Sequence, residues 1–144
     1  MKIAVASDYA GIGLRTCIKE YHLKESEHFT ECFTSFPGNS AKYPDNGSSF
    51  FFAVKTREYN RDIPAFGSRN EIFGTTNNNA GIHSTFCLRK TIAELARQHN
   101  KVNICELSDR FISIQEAEKI VDIFPDNKFE DGRQQLRPEK IPIK

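Results

Sequence analysis

Several features that would point to common classes of partner are missing from this chain of 144 residues. No stretch approaches the roughly 18 consecutive apolar residues that a membrane span needs, and no basic and apolar leader precedes the first predicted strand. No run of five or more like charges occurs, and the net charge is only +1, from 20 basic and 19 acidic residues. We therefore expect a soluble, cytoplasmic protein with no membrane partner and no nucleic-acid partner.

Motifs for metals and nucleotides are missing as well. The four cysteines form no Cys-x-x-Cys pair, which argues against a zinc ribbon or a thioredoxin-type motif. Because each lies in an apolar segment, Cys17, Cys32, Cys87 and Cys105 are predicted to be small core residues. The chain has neither Gly-x-Gly-x-x-Gly nor Gly-x-x-x-x-Gly-Lys-Ser/Thr, so no motif indicates a dinucleotide or a P-loop nucleotide.

The first eleven residues carry the most informative pattern. Residues 3–6 form a short apolar run without alternation, which is typical of a strand covered on both faces. The run ends at Ser7 and Asp8, just before a helical pattern begins. Ligands of open parallel sheets bind outside the carboxyl ends of the strands, so Asp8 and Tyr9 lie where a substrate is expected. Asp8 has an equally good alternative role as the cap of the helix that follows.

Strands and helices alternate along the rest of the chain. Strands are predicted at residues 2–7, 29–33, 62–67, 81–87 and 102–107, and helices at 10–23, 48–58, 89–99 and 113–124, the last opened by a Ser113-x-x-Glu116 capping box. Pro64 is unusual inside a strand because it cannot donate to a sheet ladder. In the helix at 89–99, the residues predicted to face inward are Ile92, Leu95 and Ala96.

This alternation predicts an α/β fold in one domain over residues 1–144. The expected architecture is a three-layer, doubly wound (Rossmann-like) arrangement, in which a five-stranded parallel sheet has helices on both faces. Residues 34–48 are rich in turn formers and are predicted to be a surface loop. From about residue 126 onward the apolar pattern stops, and a C-terminal arm is predicted.

Five segments, in this order and spacing, resemble the family of ribose-5-phosphate isomerase B and galactose-6-phosphate isomerase. The segments are residues 2–11, 43–45, 95–100, 120–124 and 129–133, the last together with Arg137. Members of that family interconvert aldose and ketose sugar phosphates without a metal or an organic cofactor. They act as homodimers or tetramers with active sites at subunit interfaces. The resemblance therefore implies a cofactor-free isomerase whose partners are a small sugar phosphate and further copies of the chain.

Such an isomerase must open the sugar ring, take a proton from the carbon beside the carbonyl and stabilise the enediolate. The resemblance implies that His99 opens the ring, which suits a group titrating near neutrality, and that Asn100 contacts substrate hydroxyls. The other residues that it places around the substrate are Asp8, Tyr9, Tyr43, Gly67 and Ser68, with Arg110, Arg133 and Arg137 at the phosphate. Judged by residue type alone, the His-Asn pair fits a helix cap and the arginines fit a solvated surface.

The segment from Phe66 to Glu71 departs from the family pattern. The family usually has a cysteine base followed by a glycine-rich loop, but Phe66 takes the place of that cysteine and cannot accept a proton. Some members use a glutamate further along this loop, and Glu71 lies one position short of that place. One hypothesis is therefore that Glu71 is the catalytic base. The alternative hypothesis is a protein that binds sugar phosphates without isomerising them.

A third possibility comes from a different class, the interaction modules of flavodoxin or receiver type, in which Asp8 would belong to an acidic pocket. A receiver binds magnesium and carries a phosphoacceptor aspartate at the end of a central strand. This chain has Pro64, Ala65 and Phe66 at that place. The sequence therefore disfavours a receiver.

Overall fold

A computed structural model describes residues 1–8, 10–25, 28–34, 59–67, 77 and 80–130. Its strands, all parallel, are β1 (Lys2–Ser7), β2 (Phe29–Thr34), β3 (Arg61–Phe66), β4 (Ser84–Phe86) and β5 (Ile104–Ser108). They form one sheet in the order β2-β1-β3-β5-β4. The helices in this part of the chain are α1 (Ile12–Glu25), α2 (Lys90–Asn100) and α3 (Ile114–Asp126).

The predicted five-stranded parallel sheet is therefore confirmed. The predicted helix at 48–58, most of the loop at 34–48 and most of the C-terminal arm lie outside the described residues. Among the helices that the structure describes, none has the length and apolar character needed to cross a membrane. The cytoplasmic location and the single domain stay predictions.

Both faces of the sheet are buried, as expected for a doubly wound fold. On one face, Ile63 and Ala65 of β3 join a core with residues of all three described helices. Successive side chains of a strand point to opposite faces, so Asp62 and Pro64 lie on the other face, where they are buried too. Burial raises the pKa of Asp62 well above its usual range, and a weaker effect of the Ile63 N–H opposes this rise.

The inward face of α2 differs from the sequence prediction. Ile92 is 39% exposed and Leu95 is 50% exposed, so the prediction for these two residues was wrong, whereas Ala96 is buried as predicted. The buried stripe is formed by Ala93, Ala96 and Arg97. Small alanine side chains let the helix lie close to the sheet and to α3, and the larger apolar residues are rotated to the outside. The predicted stripe and the buried stripe both follow the helical spacing of three and four residues. The sequence pattern therefore did not show which of the two faces inward.

Pro64 lies in a central strand, contrary to what a proline suggests. The pairing of β3 with β1 is continuous and includes Pro64 opposite Ala6. The pairing with β5 is interrupted, because it includes Asp62 and Ala65 but neither of the two residues between them. The missing N–H of Pro64 is thus accommodated by a gap in one ladder, and the strand keeps its central place.

The capping box at Ser113 is only half formed. The Ser113 side chain accepts a hydrogen bond from the Glu116 N–H at 3.2 Å, as predicted. The Glu116 carboxylate instead accepts a hydrogen bond from the Lys90 N–H at 2.8 Å, at the first residue of α2. This bond lowers the pKa of Glu116 and joins the N-termini of α2 and α3.

Two of the three cysteines whose side chains are described agree with the prediction of a core position. Cys87 and Cys105 are buried, Cys17 is half-buried, and all three are free thiols. The side chain of Cys32 lies outside the described residues. Within those residues, no group of three or more His, Cys, Asp or Glu side chains is arranged to hold a metal ion.

Candidate active site

β1, β3 and β5 are the three inner strands of the sheet, and their carboxyl ends lie side by side. The chain order reverses between β1 and β3, because β2 follows β1 on one side and β3 lies on the other. Such a reversal opens a crevice that binds ligands in parallel α/β sheets. Asp8 directly follows β1, Gly67 directly follows β3, and Arg110 lies two residues beyond β5. The topology alone thus brings together three residues that the sequence predicted for the site.

Asp8 contacts the backbone of two segments. Its Oδ1 accepts a hydrogen bond from the Gly11 N–H at 2.8 Å, just before α1 begins. Its Oδ2 accepts a hydrogen bond from the Gly67 N–H at 3.3 Å, across the gap from β1 to β3. The two roles considered for Asp8 are therefore combined in one side chain, which caps the turn into α1 and also reaches the β3 end of the crevice.

Gly67 is packed too tightly for any other residue. A Cβ built on it would lie 2.7 Å from the Ala10 Cβ, which is closer than real Cβ atoms approach. The same point is 3.8 Å from the Arg110 Nε and 3.9 Å from the Asp8 Oδ2. A carboxylate, a guanidinium and the buried backbone of Gly67 therefore meet within a few ångströms. This combination can hold sugar hydroxyls and a phosphate at once.

The end of β3 is also attached to β5. The Asp109 N–H donates to the Phe66 carbonyl at 2.9 Å, which continues the β3–β5 ladder beyond the end of β5. The Ser108 hydroxyl donates to the Gly67 carbonyl at 2.6 Å, and Ser108 is fully buried. Ser108 was not among the site residues predicted from the sequence. The available signal was a polar residue that ends a buried strand beside the strand leading into the loop.

Phe66 ends β3 and is only 7% exposed. It pairs with Ser108 across the sheet, so its backbone lies at the crevice. Its ring has no proton acceptor. The base therefore has to come from another residue if this site isomerises a sugar.

His99 and Asn100 lie at the opposite end of the sheet, beside the amino ends of the strands. They end α2, which runs back from the carboxyl end of β4 to the amino end of β5. The connection after them is fixed by hydrogen bonds from the Val102 N–H to the Ala96 carbonyl at 3.4 Å and from the Asn103 N–H to the His83 carbonyl at 2.9 Å. The length of β5 separates this end from Asp8, which is roughly 15 Å at about 3.3 Å per residue. One chain thus does not bring His99 to the crevice.

The end of α2 is held by the segment that follows α3. The Glu130 N–H donates to the Gln98 carbonyl at 2.9 Å, and the Glu130 Oε2 lies 3.8 Å from the His99 Nε2. Arg97 donates to the carbonyl of Asn127 at 3.2 Å and to the carbonyl of Val102. Burial lowers the pKa of Arg97 to about 10, and the charge of Arg61 contributes. The His99 side chain keeps 31% of its surface exposed.

An exposed apolar stripe leads along α2 to His99. Leu88 is 36% exposed, Ile92 39% and Leu95 50%, and the four residues follow one another at intervals of four, three and four. Ile92, Leu95 and His99 lie within α2, where residues three and four apart share one face, and Leu88 lies just before the helix begins at Lys90. His99 therefore ends an apolar surface that the described residues of this chain leave partly open to solvent.

The remaining predicted site residues are Tyr9, Tyr43, Ser68, Glu71, Arg133 and Arg137, and all of them lie outside the described residues. Their roles stay predictions. The structure describes two parts of the predicted site. Asp8, Gly67 and Arg110 lie at the carboxyl ends of the strands, and His99 and Asn100 lie at the amino ends.

Comparison with known proteins decides the family. A model of the ribose/galactose isomerase family matches residues 3–141. The chain belongs to this family. The resemblance found in the five sequence segments is thereby confirmed over nearly the whole length of the chain.

Individual members of the ribose/galactose isomerase family are similar over almost their full length. A probable ribose-5-phosphate isomerase B of Mycoplasma genitalium is 33% identical over 96% of this chain and 92% of its own. A crystal structure of a ribose 5-phosphate isomerase of Thermotoga maritima superposes with a TM-score of 0.87 at 33% identity, covering 97% and 96% of the two chains. A ribose-5-phosphate isomerase B of Mycoplasma genitalium with bound ribulose-5-phosphate gives 0.81 at 31% identity, covering 97% and 93%.

Proposed function

We propose that this protein interconverts an aldose phosphate and a ketose phosphate, with ribose 5-phosphate and ribulose 5-phosphate as the first pair to test. The observation that carries the proposal is the convergence of Asp8, Gly67 and Arg110 at the switch point between β1 and β3. Named isomerases of sugar phosphates among the relatives support the same reaction class. One such relative has ribulose-5-phosphate bound, which supports a five-carbon substrate.

In the proposed mechanism, Asp8 accepts hydrogen bonds from the sugar near its ring oxygen, and Arg110 binds the phosphate together with Arg133 and Arg137. His99 opens the ring by proton transfer to or from the ring oxygen and the anomeric hydroxyl. Peptide N–H groups of the loop that begins at Gly67 stabilise the enediolate. Glu71 is the proposed base that moves the proton between the two carbons.

His99 must then come from a second copy of the chain. Its distance from Asp8 within one chain, roughly the length of a five-residue strand, exceeds the reach of any side chain. The exposed stripe of Leu88, Ile92 and Leu95 ends at His99 and offers an apolar surface for the second copy. We therefore propose a homodimer with two equivalent sites, each combining the carboxyl ends of the strands of one chain with His99 and Asn100 of the other. A tetramer would be a pair of such dimers.

A second candidate function is binding without isomerisation. It is favoured by Phe66, which occupies the end of β3 with a side chain that cannot take a proton. Loss of a positioned base lowers the rate by about a hundred- to ten-thousand-fold. The two candidates therefore differ by an amount that is easily measured.

Proton exchange in heavy water separates them. Ribose 5-phosphate is incubated with the protein, and NMR follows deuterium incorporation at carbon 2 together with the appearance of ribulose 5-phosphate. Exchange that is lost in Glu71→Gln supports an isomerase with Glu71 as the base. Saturable binding of ribose 5-phosphate without any exchange supports the second candidate. If neither exchange nor binding occurs with ribose 5-phosphate or with other aldose phosphates, both candidates are wrong.

A further inference from the structure

The backbone changes direction at Gly67, and Ser108 is the residue that holds the new direction. In a regular parallel strand, the N–H and the C=O of one residue point to the same neighbouring strand. At Gly67 they point to different neighbours. The N–H donates to Asp8, which follows β1, whereas the C=O accepts from the Ser108 hydroxyl at the end of β5.

We propose that Ser108 is a positioning residue for the isomerisation, which rests on the function proposed above. In a trans peptide, the C=O and the N–H that follows it point in opposite directions. Holding the Gly67 carbonyl toward β5 therefore turns the next N–H toward the β1 side, where Asp8 lies. In the proposed mechanism, that N–H is one of the loop N–H groups that stabilise the enediolate oxygen. Ser108 itself touches no substrate and acts through this peptide group.

The surroundings of Ser108 suit this role. Its side chain is fully buried, so water does not compete for the hydroxyl, and the bond to the Gly67 carbonyl is short at 2.6 Å. The neighbouring Asp109 N–H donates to the Phe66 carbonyl, so β5 holds two successive carbonyls at the end of β3. Without the Ser108 hydroxyl, the first carbonyl would stay fixed and the second would be free to turn. The predicted defect is therefore local to the peptide after Gly67.

Two variants of Ser108 separate hydrogen bonding from packing. Ser108→Ala removes the donor and leaves a small void, whereas Ser108→Cys fills the space with a group that is only a weak donor. The matched control is Ser84→Ala, because Ser84 is also buried in this sheet and its hydroxyl also donates a hydrogen bond, to the carboxylate of Glu106. Ser84 begins β4, at the edge of the sheet opposite to the crevice.

We expect Ser108→Ala and Ser108→Cys to lower kcat by about ten- to a hundred-fold with KM changed by less than about threefold, because misplacing a group by a fraction of an ångström to 1 Å costs up to about a hundred-fold. The Ser84→Ala variant should keep the kcat of the wild type. A kcat that is unchanged in both Ser108 variants, or restored in Ser108→Cys, would overturn the proposal while leaving the isomerase function standing.

Hydrogen-deuterium exchange gives a second measurement that does not depend on activity. The amides that follow Gly67 should exchange faster in both Ser108 variants than in the wild type, and those in Ser84→Ala should not. If the wild-type protein isomerises no sugar phosphate, the function proposed above fails, and this exchange still tests the positioning by Ser108. Equal exchange of these amides in all four proteins would contradict it.

Discussion

Gly11 lies directly against the backbone of Ala65. A Cβ built on Gly11 would be 2.5 Å from the Ala65 carbonyl carbon and closer still to its oxygen. The start of α1 is therefore in backbone contact with β3, and this contact brings Asp8, three residues earlier, within hydrogen-bond distance of the Gly67 N–H. A glycine is needed here for space, and its conformational freedom is not the reason.

Two glycines in the same region make a matched pair of stability variants. Gly11→Ala should lower the free energy of unfolding by at least about 2 kcal/mol, because backbone atoms of β3 must move to admit the methyl group. Gly13→Ala should raise it by about 0.5 to 1 kcal/mol, since Gly13 lies in α1 with no atom within 4 Å of an added Cβ. Urea unfolding measures both. Equal effects of the same sign would show that the contact with Ala65 does not constrain α1.

Replacing Asp8 by asparagine should abolish most of the activity. The oxygen of the introduced asparagine can still accept from the Gly11 N–H, but its amide nitrogen would place a donor opposite the Gly67 N–H donor. We expect a loss of about a hundred-fold in kcat/KM, because the sugar loses a carboxylate acceptor and the Gly67 N–H is left facing another donor. Asp122→Asn is the control, because it removes an equal charge from an exposed carboxylate that accepts from the Tyr21 hydroxyl. A similar loss in Asp122→Asn would trace the effect to net charge.

His22 should make the protein less stable as the pH falls. Its ring is 1% exposed and lies between the Thr30 hydroxyl at 3.2 Å and the Val121 carbonyl at 3.3 Å. Burial lowers the pKa of His22 below its ordinary value of 6.5, although the Val121 carbonyl and the Asp122 charge partly oppose this. The unfolded chain therefore binds a proton at a higher pH than the folded chain does. The contribution of neutral His22 to the free energy of unfolding is therefore fully present above pH 6.5. It is lost as the pH falls through the lowered pKa.

The measurement for His22 is a comparison of two proteins at two pH values. Urea unfolding of the wild type and of His22→Gln is followed at about pH 7.5 and at about pH 5, on either side of the ordinary histidine pKa. We expect the wild type to lose more free energy of unfolding between these values than His22→Gln does. Equal losses would mean that His22 is already protonated in the fold at the lower pH without cost.

The stripe on α2 should control self-association. Leu95→Lys places a charge in the middle of the apolar surface that ends at His99 and should shift the protein from dimer to monomer in sedimentation equilibrium. The same charge change at an exposed position of α3, Gln115→Lys, serves as the control. A dimer that persists in Leu95→Lys would place the subunit contact elsewhere.

Local sequence patterns predicted the fold better than they predicted the site. The unbroken apolar run of residues 3–6 was enough to identify a strand buried on both faces, and the ladder confirms it. The orientation of α2 was not predictable, because Ile92, Leu95 and Ala96 share a helical period with the stripe that is buried. Which side of a helix meets the sheet depends on side-chain volume at the contact, and this is a property of the tertiary packing.

Prediction of the site from the sequence was limited in the same way, by long-range contacts. Asp8 was recognisable from its place after β1, because position at a strand end is encoded in the local pattern. Ser108 was not, since its role depends on which strand lies beside β3, and the order β3-β5-β4 is a long-range property. The separation of His99 from Asp8 also follows from the topology. Residue types alone gave no sign that the two lie at opposite ends of the sheet.

Subunit complementation tests the central claim, a site shared between two chains. Chains with Asp8→Asn and chains with His99→Ala are each expected to be inactive as homodimers. In a purified heterodimer of the two, one of the two sites receives both native residues, and we predict roughly half of the wild-type activity from the two-fold symmetry. The converse heterodimer pairs a wild-type chain with a chain that carries both substitutions. It should be inactive, because each of its sites lacks one residue.

If Asp8 and His99 of the same chain formed the site, the two results would be exchanged. The heterodimer of single variants would be inactive, and the heterodimer with the wild-type chain would keep half of the activity. That outcome, with an active wild-type protein, would contradict the shared site.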